Sequence, residues 1–247
     1  MGYKRFHYTH WGRNSTFKII LLHGIGESSN IWFQLAPLLA NKYEVIALDL
    51  RGHGGTPWDT EGDYSLNSYI DDIQLIISHW NHPTVMIGHG IGSEILIKVS
   101  ENFSSLVKSN FILMNLKSAE NNKSLIENLS VISNELEQNI YEENFRLWSK
   151  IYKDLTWATS SGRISKCDPK VLDVISKDKS IDISKEIRSK TFHIKLSDLN
   201  LRIQNSDFNS DDYRTKLSFI NQKWYHISHP KILSEHILKK MTKINLS

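Results

Sequence analysis

The feature that most constrains this chain is the run Val85-Met86-Ile87-Gly88-His89-Gly90-Ile91-Gly92-Ser93-Glu94-Ile95. Apolar residues through Ile87 read as a short buried strand, and Ile95, Leu96 and Val99 suit a helix packed on a sheet. The backbone must therefore pass from strand to helix through the turn Gly88-His89-Gly90-Ile91-Gly92. Side chains at its first and last positions would collide with the neighbouring strand and helix, which accounts for Gly88 and Gly92. The central residue, Gly90, presents no side chain.

The same alternation extends along the chain. Lys18–Leu22 and Glu44–Leu48 read as buried strands ending at His23-Gly24 and at Asp49. Between them Asn30 can cap a helix bearing Trp32, Leu35, Leu38 and Leu39, with Pro37 tolerated near its start or as a kink. Leu66–Trp80 repeats the helical pattern, 84–87 is a strand, and 111–114 is another. From 117 to 186 the pattern changes to helices without convincing strands: 124–136, 142–157, and one opened by the cap-then-proline pair Asp168-Pro169. Strand signals return at 191–196 and 217–220, and Pro230–Met241 closes as an amphipathic helix.

Strands alternating with helices imply an α/β fold, a mostly parallel doubly wound sheet with right-handed crossovers and helices on both faces. The expected division is a core of residues 1–116 and 187–247 with a helical cap inserted at 117–186. A chain of 247 residues is compatible with one such unit.

Composition narrows the function classes. The 30 basic and 27 acidic residues are scattered rather than blocked, so nucleic acid is not an expected partner. No apolar run reaches the ~20 residues of a membrane span, and the start of the chain lacks a signal-peptide core. A single cysteine, Cys167, cannot form an internal disulfide, which suits a reducing, cytoplasmic setting, and it is expected to be inert. No histidine, cysteine or carboxylate spacing matches a metal site, so neither metal nor cofactor is expected.

His23-Gly24-Ile25-Gly26 ends the first buried strand, where backbone N–H groups can face a developing oxyanion. Ile25 and Ile91 would supply the two amides. One strand–helix unit later comes the loop Asp49-Leu50-Arg51-Gly52-His53-Gly54. His23, His53 and His89 each lie beside glycine in tight loops, where an imidazole can satisfy backbone groups, and are read as structural.

In combination and order, His23-Gly24 with Trp32, the Asp49 to Gly54 loop, the glycine-rich turn and a histidine before the last helix resemble the α/β-hydrolase superfamily. The likeness is to its cap-bearing esterase, C–C hydrolase and epoxide-hydrolase-like branch and covers nearly the whole length. It implies that Gly88 to Gly92 is the nucleophile elbow, with Gly90 where the family's serine stands. It further implies Asp198 as the acid, with Asp207 as fallback, and His226 as the base, with His229 as rival. The sequence departs from the family at Leu196 and Tyr225, where glycine is usual, and in a shortened loop before the histidine.

Trp32 and the aromatics Trp148, Tyr152 and Trp157 of one predicted helix are candidates to line a substrate pocket, although core packing explains the last three equally well. The favoured function is an ester or thioester hydrolase, acting on a small-molecule or carrier-bound acyl substrate, whose serine has been replaced by glycine. Loss of the nucleophile alone costs about 10⁶ in kcat. Ser93, three residues on, belongs to the first helical turn and is no substitute. Two alternatives stay open: a natural His–Asp dyad enzyme without a covalent nucleophile (a cyclase, lyase, decarboxylase or cofactor-free oxygenase), and a non-catalytic ligand-binding protein. A monomer or homodimer is expected.

Overall fold

The computed structural model describes residues 5–13, 15, 17–25, 27–114, 168, 170–171, 189–194 and 229–243. Among them, β1 (Tyr8–Trp11), β2 (Lys18–Leu22), β3 (Glu44–Leu48), β4 (Thr84–His89), β5 (Val107–Met114) and β6 (Thr191–His193) form one sheet in the order β1-β3-β2-β4-β5-β6. β2 through β6 pair in parallel, and β1 joins the edge antiparallel to β3. The chain thus has an α/β fold, a mostly parallel sheet flanked by helices.

The parallel strands are apolar on both faces because both faces are covered. Ile20, Leu22, Ile46, Leu48, Met86 and Ile112 pack beneath α2 (Leu66–Trp80) and α3 (Ile91–Asn102). Ile19, Leu21, Val45, Ala47, Val85, Ile87 and Phe111 face α1 (Ala36–Leu39) and α4 (Pro230–Met241). Crossing from β2 to β3, and again from β3 through α2 to β4, places successive strands on opposite sides of β2. The strand order reverses there, and the loops at the carboxyl ends of β2 and β4 are brought side by side.

Several elements differ in extent from the sequence expectation. The helix expected from Asn30 is split into a 3-10 turn, Ser29–Trp32, and α1. Pro37 has no N–H to donate, so a continuous ladder cannot run through it. Ser28 rather than Asn30 caps the first piece, its hydroxyl accepting from the Asn30 amide. Strand β5 starts at Val107, four residues before the apolar run, because its polar positions are satisfied internally: Ser109 Oγ donates to the Lys190 carbonyl at 2.9 Å. β1 carries no apolar run at all. Its side chains alternate between exposed and half-buried, as an edge strand allows.

Helix α2 begins at an Ser65 cap whose Oγ accepts from the Ser68 amide, and it ends at Asn81 in the left-handed region, φ 43°. Of the expected cap insertion, residues 168, 170 and 171 are described. Asp168 Oδ1 accepts from the Lys170 amide at 3.0 Å, and Val171 is fully buried in the core under α2 and α3. The remainder of 117–186, and the strand expected at 217–220, lie outside the described residues. No helix among the described residues is long and apolar enough to cross a membrane.

Candidate active site

Register decides what meets at the carboxyl edge of the sheet. Leu22 pairs with Leu48 on one side and with Gly88 on the other, so the next residues, His23, Asp49 and His89, emerge together. In open parallel sheets this edge, at the point where strand order reverses, is the usual ligand crevice.

The turn from β4 into α3 passes through Gly90, whose backbone sits at φ 56°, ψ −127°. This is a conformation that side-chain-bearing residues adopt only under strain. The flanking glycines are required by contact. A Cβ on Gly88 would lie 2.7 Å from the backbone of Gly92 and Ser93. A Cβ on Gly92 would lie 2.7 Å from the Leu22 carbonyl carbon and 2.8 Å from the His23 carbonyl oxygen. The first turn of α3 therefore lies directly against the end of β2. Ile91 is buried there, and the Ser93 amide donates to the Gly90 carbonyl at 3.0 Å. Ser93 itself is fully buried.

The loop after β2 is organised by two buried side chains. His23 Nδ1–H donates to the Gly24 carbonyl at 2.6 Å, and Nε2 accepts from the Leu50 amide at 3.0 Å, which fixes a neutral tautomer. Burial lowers its pKa, against the opposing attraction of Asp49. Glu27 Oε2 accepts from the Gly24 amide at 2.6 Å and from His89 Nδ1–H at 3.0 Å. Ile25 lies in this turn, half-buried against the core. His89 thus holds a carboxylate, whereas His23 and His53 satisfy backbone groups as the sequence suggests.

The loop after β3 is built around Asp49. Its carboxylate accepts from the Ser29 amide at 2.6 Å, the Gly55 amide at 2.8 Å and His7 Nδ1–H at 2.7 Å. Burial alone would raise its pKa, but His23 and the hydrogen bonds from Gly55 and Ser29 outweigh burial and hold it below the ordinary value. His53 Nδ1–H donates to the Arg51 carbonyl at 2.9 Å, and burial pushes its pKa down to about 3. Arg51 forms a two-pronged pair with Asp72 of α2, at 2.6 and 2.7 Å, which Arg5 also joins. The loop is pinned to the helix beneath it.

Of the residues singled out in the sequence, Gly90, Ile25 and Ile91 meet at this edge. Trp32 is fully enclosed in the core under α1 and α4, with Leu35 and Leu39. His229 is half-buried at the start of α4, its carbonyl accepting from the Leu233 amide at 3.1 Å, and burial lowers its pKa. Asp198, Asp207, His226, Trp148, Tyr152, Trp157 and Cys167 lie outside the described residues. Among the described residues no cluster of three histidine, cysteine or carboxylate side chains could hold a metal ion. Glu27 was not singled out in the sequence. Its signal there is slight: a carboxylate closing a glycine-rich loop four residues after His23.

The chain is 34% identical over 113 residues to a soluble epoxide hydrolase of Corynebacterium sp., a match covering 45% of this chain and 38% of the relative. It is 30% identical over 93 residues to a pimeloyl-[acyl-carrier protein] methyl ester esterase of Aeromonas hydrophila, covering 36% and 35% respectively. The chain therefore spans well under half the length of these curated relatives. Over nearly the whole length, 98% of each chain, it shares its fold with a hydrolase from Oleispira antarctica, with a TM-score of 0.62 at 14% identity. The alpha/beta hydrolase fold family model matches residues 19–229, which include all of β2 but Lys18, the Asp49 loop, the β4–α3 turn and His229, and the chain belongs to that family.

Proposed function

We propose that this chain is an ester- or thioester-hydrolase member of the family in which position 90 is the nucleophile's place and is held by glycine. The observation that carries this reading is the Gly90 backbone, at φ 56° and ψ −127° between two glycines that no larger residue can replace. A turn so constrained serves to project its central residue at the edge of the sheet. The esterase relative supports the ester class, and without a side chain at position 90 this form lacks the nucleophile that acyl transfer needs.

In the working form of such a site, a serine at position 90 would lose its proton to His226 as it attacks the acyl carbonyl, with Asp198 orienting the imidazole. The amides of Ile25 and Ile91 would hold the oxyanion. No cofactor takes part. The substrate is a small or carrier-bound acyl ester, reached in the cytoplasm.

The test is hydrolysis of a short-chain p-nitrophenyl ester panel by the protein and by Gly90→Ser, side by side. The reading expects the serine form alone to be fast, by about 10⁶ in kcat, and His226→Ala to abolish the gain. If the serine form gains nothing, the serine-hydrolase reading is overturned. Turnover by the glycine form on a non-ester substrate would then point to a His–Asp dyad enzyme, and ligand-induced stabilisation without turnover to a binding protein.

A further inference from the structure

Contacts that tie the loop after β2 to the turn after β4 lie on either side of Ile25. Before Ile25, the missing Cβ of Gly92 lets the start of α3 rest on the carbonyls of Leu22 and His23. After Ile25, Glu27 bridges to His89, the residue immediately preceding Gly90. The bridge is buried on both sides, with His89 1% and Glu27 8% exposed.

Glu27 also closes its own loop. Its amide donates to the Gly24 carbonyl at 3.3 Å while its carboxylate takes the Gly24 amide at 2.6 Å. The same Oε2 atom receives both the Gly24 amide and His89 Nδ1–H. A Cβ on Gly24 would lie 2.8 Å from Glu27 Oε2 and 3.2 Å from His89 Nδ1, so the three groups meet at one point with no room to spare. One carboxylate oxygen thus sets both the internal shape of the loop and its separation from the turn.

We propose that Glu27 is a positioning residue whose bridge to His89 fixes the spacing of the Ile25 and Ile91 amides. This rests on the reading above, in which those amides receive the oxyanion. Stabilisation by such donors depends on where they are held before charge develops, and a loop free to drift forfeits it without losing substrate affinity. Gly92 anchors one end of the loop. Without Glu27 the other end loses its carboxylate bridge to His89.

The experiment uses Glu27→Ala and Glu27→Gln, each made in the protein as it exists and in Gly90→Ser. In the glycine form, backbone ¹⁵N relaxation reads the order of the Ile25 amide. Its order parameter should fall from about 0.85 to below about 0.6 in Glu27→Ala, with glutamine intermediate because one acceptor oxygen remains. In the serine form, Glu27→Ala should lower kcat on p-nitrophenyl butyrate by about 10²-fold with KM within about threefold. An Ile25 amide as rigid in both variants as in the parent overturns the proposal, as does a mobile Ile25 with kcat unchanged. Should Glu27→Ala fail to fold, the glutamine variant carries both readouts. Inactivity of Gly90→Ser itself would reject the hydrolase reading and leave the relaxation measurement to decide whether the strut exists.

Discussion

Tyr64 donates a hydrogen bond from its phenol to the Asp168 carboxylate, 2.6 Å away and 104 residues further along the chain. Around it the Asp168 amide donates to the Gly52 carbonyl at 2.8 Å, and Val171 is fully buried. Asp168 is therefore fastened to the loop after β3. Tyr64→Phe keeps the ring and removes the donor, and should destabilise the fold by about 1–3 kcal/mol in urea unfolding, since a buried carboxylate oxygen loses its partner. Burial, then Asp168, raises the Tyr64 pKa above its ordinary value. The stability this confers is present below pH about 10 and is lost as pH rises, because the unfolded phenol ionises first. Phenylalanine should remove that alkaline decline, and an unchanged alkaline slope would show that Tyr64 is not its source.

The glycines of the turn make a sharper prediction. Gly92→Ala places a methyl group 2.7 Å from the Leu22 carbonyl carbon, and neither backbone can yield without disturbing the central sheet. A loss of about 3 kcal/mol or more is expected, at the upper end of overpacking costs. Gly62→Ala is the control, since its nearest neighbour is the flexible Lys170 side chain at 2.8 Å. Gly62 has φ 71°, so alanine there still incurs backbone strain, of about 1 kcal/mol. Thermal unfolding of the pair should rank Gly92→Ala well below Gly62→Ala, and equal losses would refute the contact argument.

Acid should weaken the site from within. His23 and His53 are both fully buried and held neutral, their pKa values lowered chiefly by burial. In the unfolded chain they charge near pH 6.5. The folded state resists protonation, to about pH 3 for His53, so stability is full above the unfolded value and falls as pH drops below it. Each contributes at most about 1.4 kcal/mol per pH unit in that window. Asp49, held below its ordinary pKa, adds a further loss at lower pH. Urea midpoints at pH 7, 6 and 5 should fall steadily, and His53→Gln should reduce the slope by about one proton.

The central strands Lys18–Leu22 and Glu44–Leu48 were legible because burial on both faces leaves unbroken apolar runs, and the last helix, Pro230–Met241, forms where its amphipathic pattern places it. β1 was not, because an edge strand with half its side chains in water carries no such run. Pro37 was legible as an early-helix residue, yet its effect on the preceding turn depended on which carbonyl would be left without a donor. Glu27 was hidden for a different reason. Its partner, His89, is 62 residues away, and only the parallel register of β2 with β4 brings the two together.

Restoring a side chain at position 90 sets conformation against chemistry. At φ 56° and ψ −127° glycine pays no steric penalty, whereas an L-residue is strained by about 1–3 kcal/mol. Gly90→Ser should therefore lower the urea midpoint even as it creates the nucleophile. Gly90→Ala separates the two effects, because it carries the same strain with no hydroxyl. Both variants should lose similar stability, and only serine should gain ester hydrolysis. A serine form that is as stable as the parent would mean that the turn relaxes away from the geometry required to present a nucleophile, and esterase activity should then be absent as well.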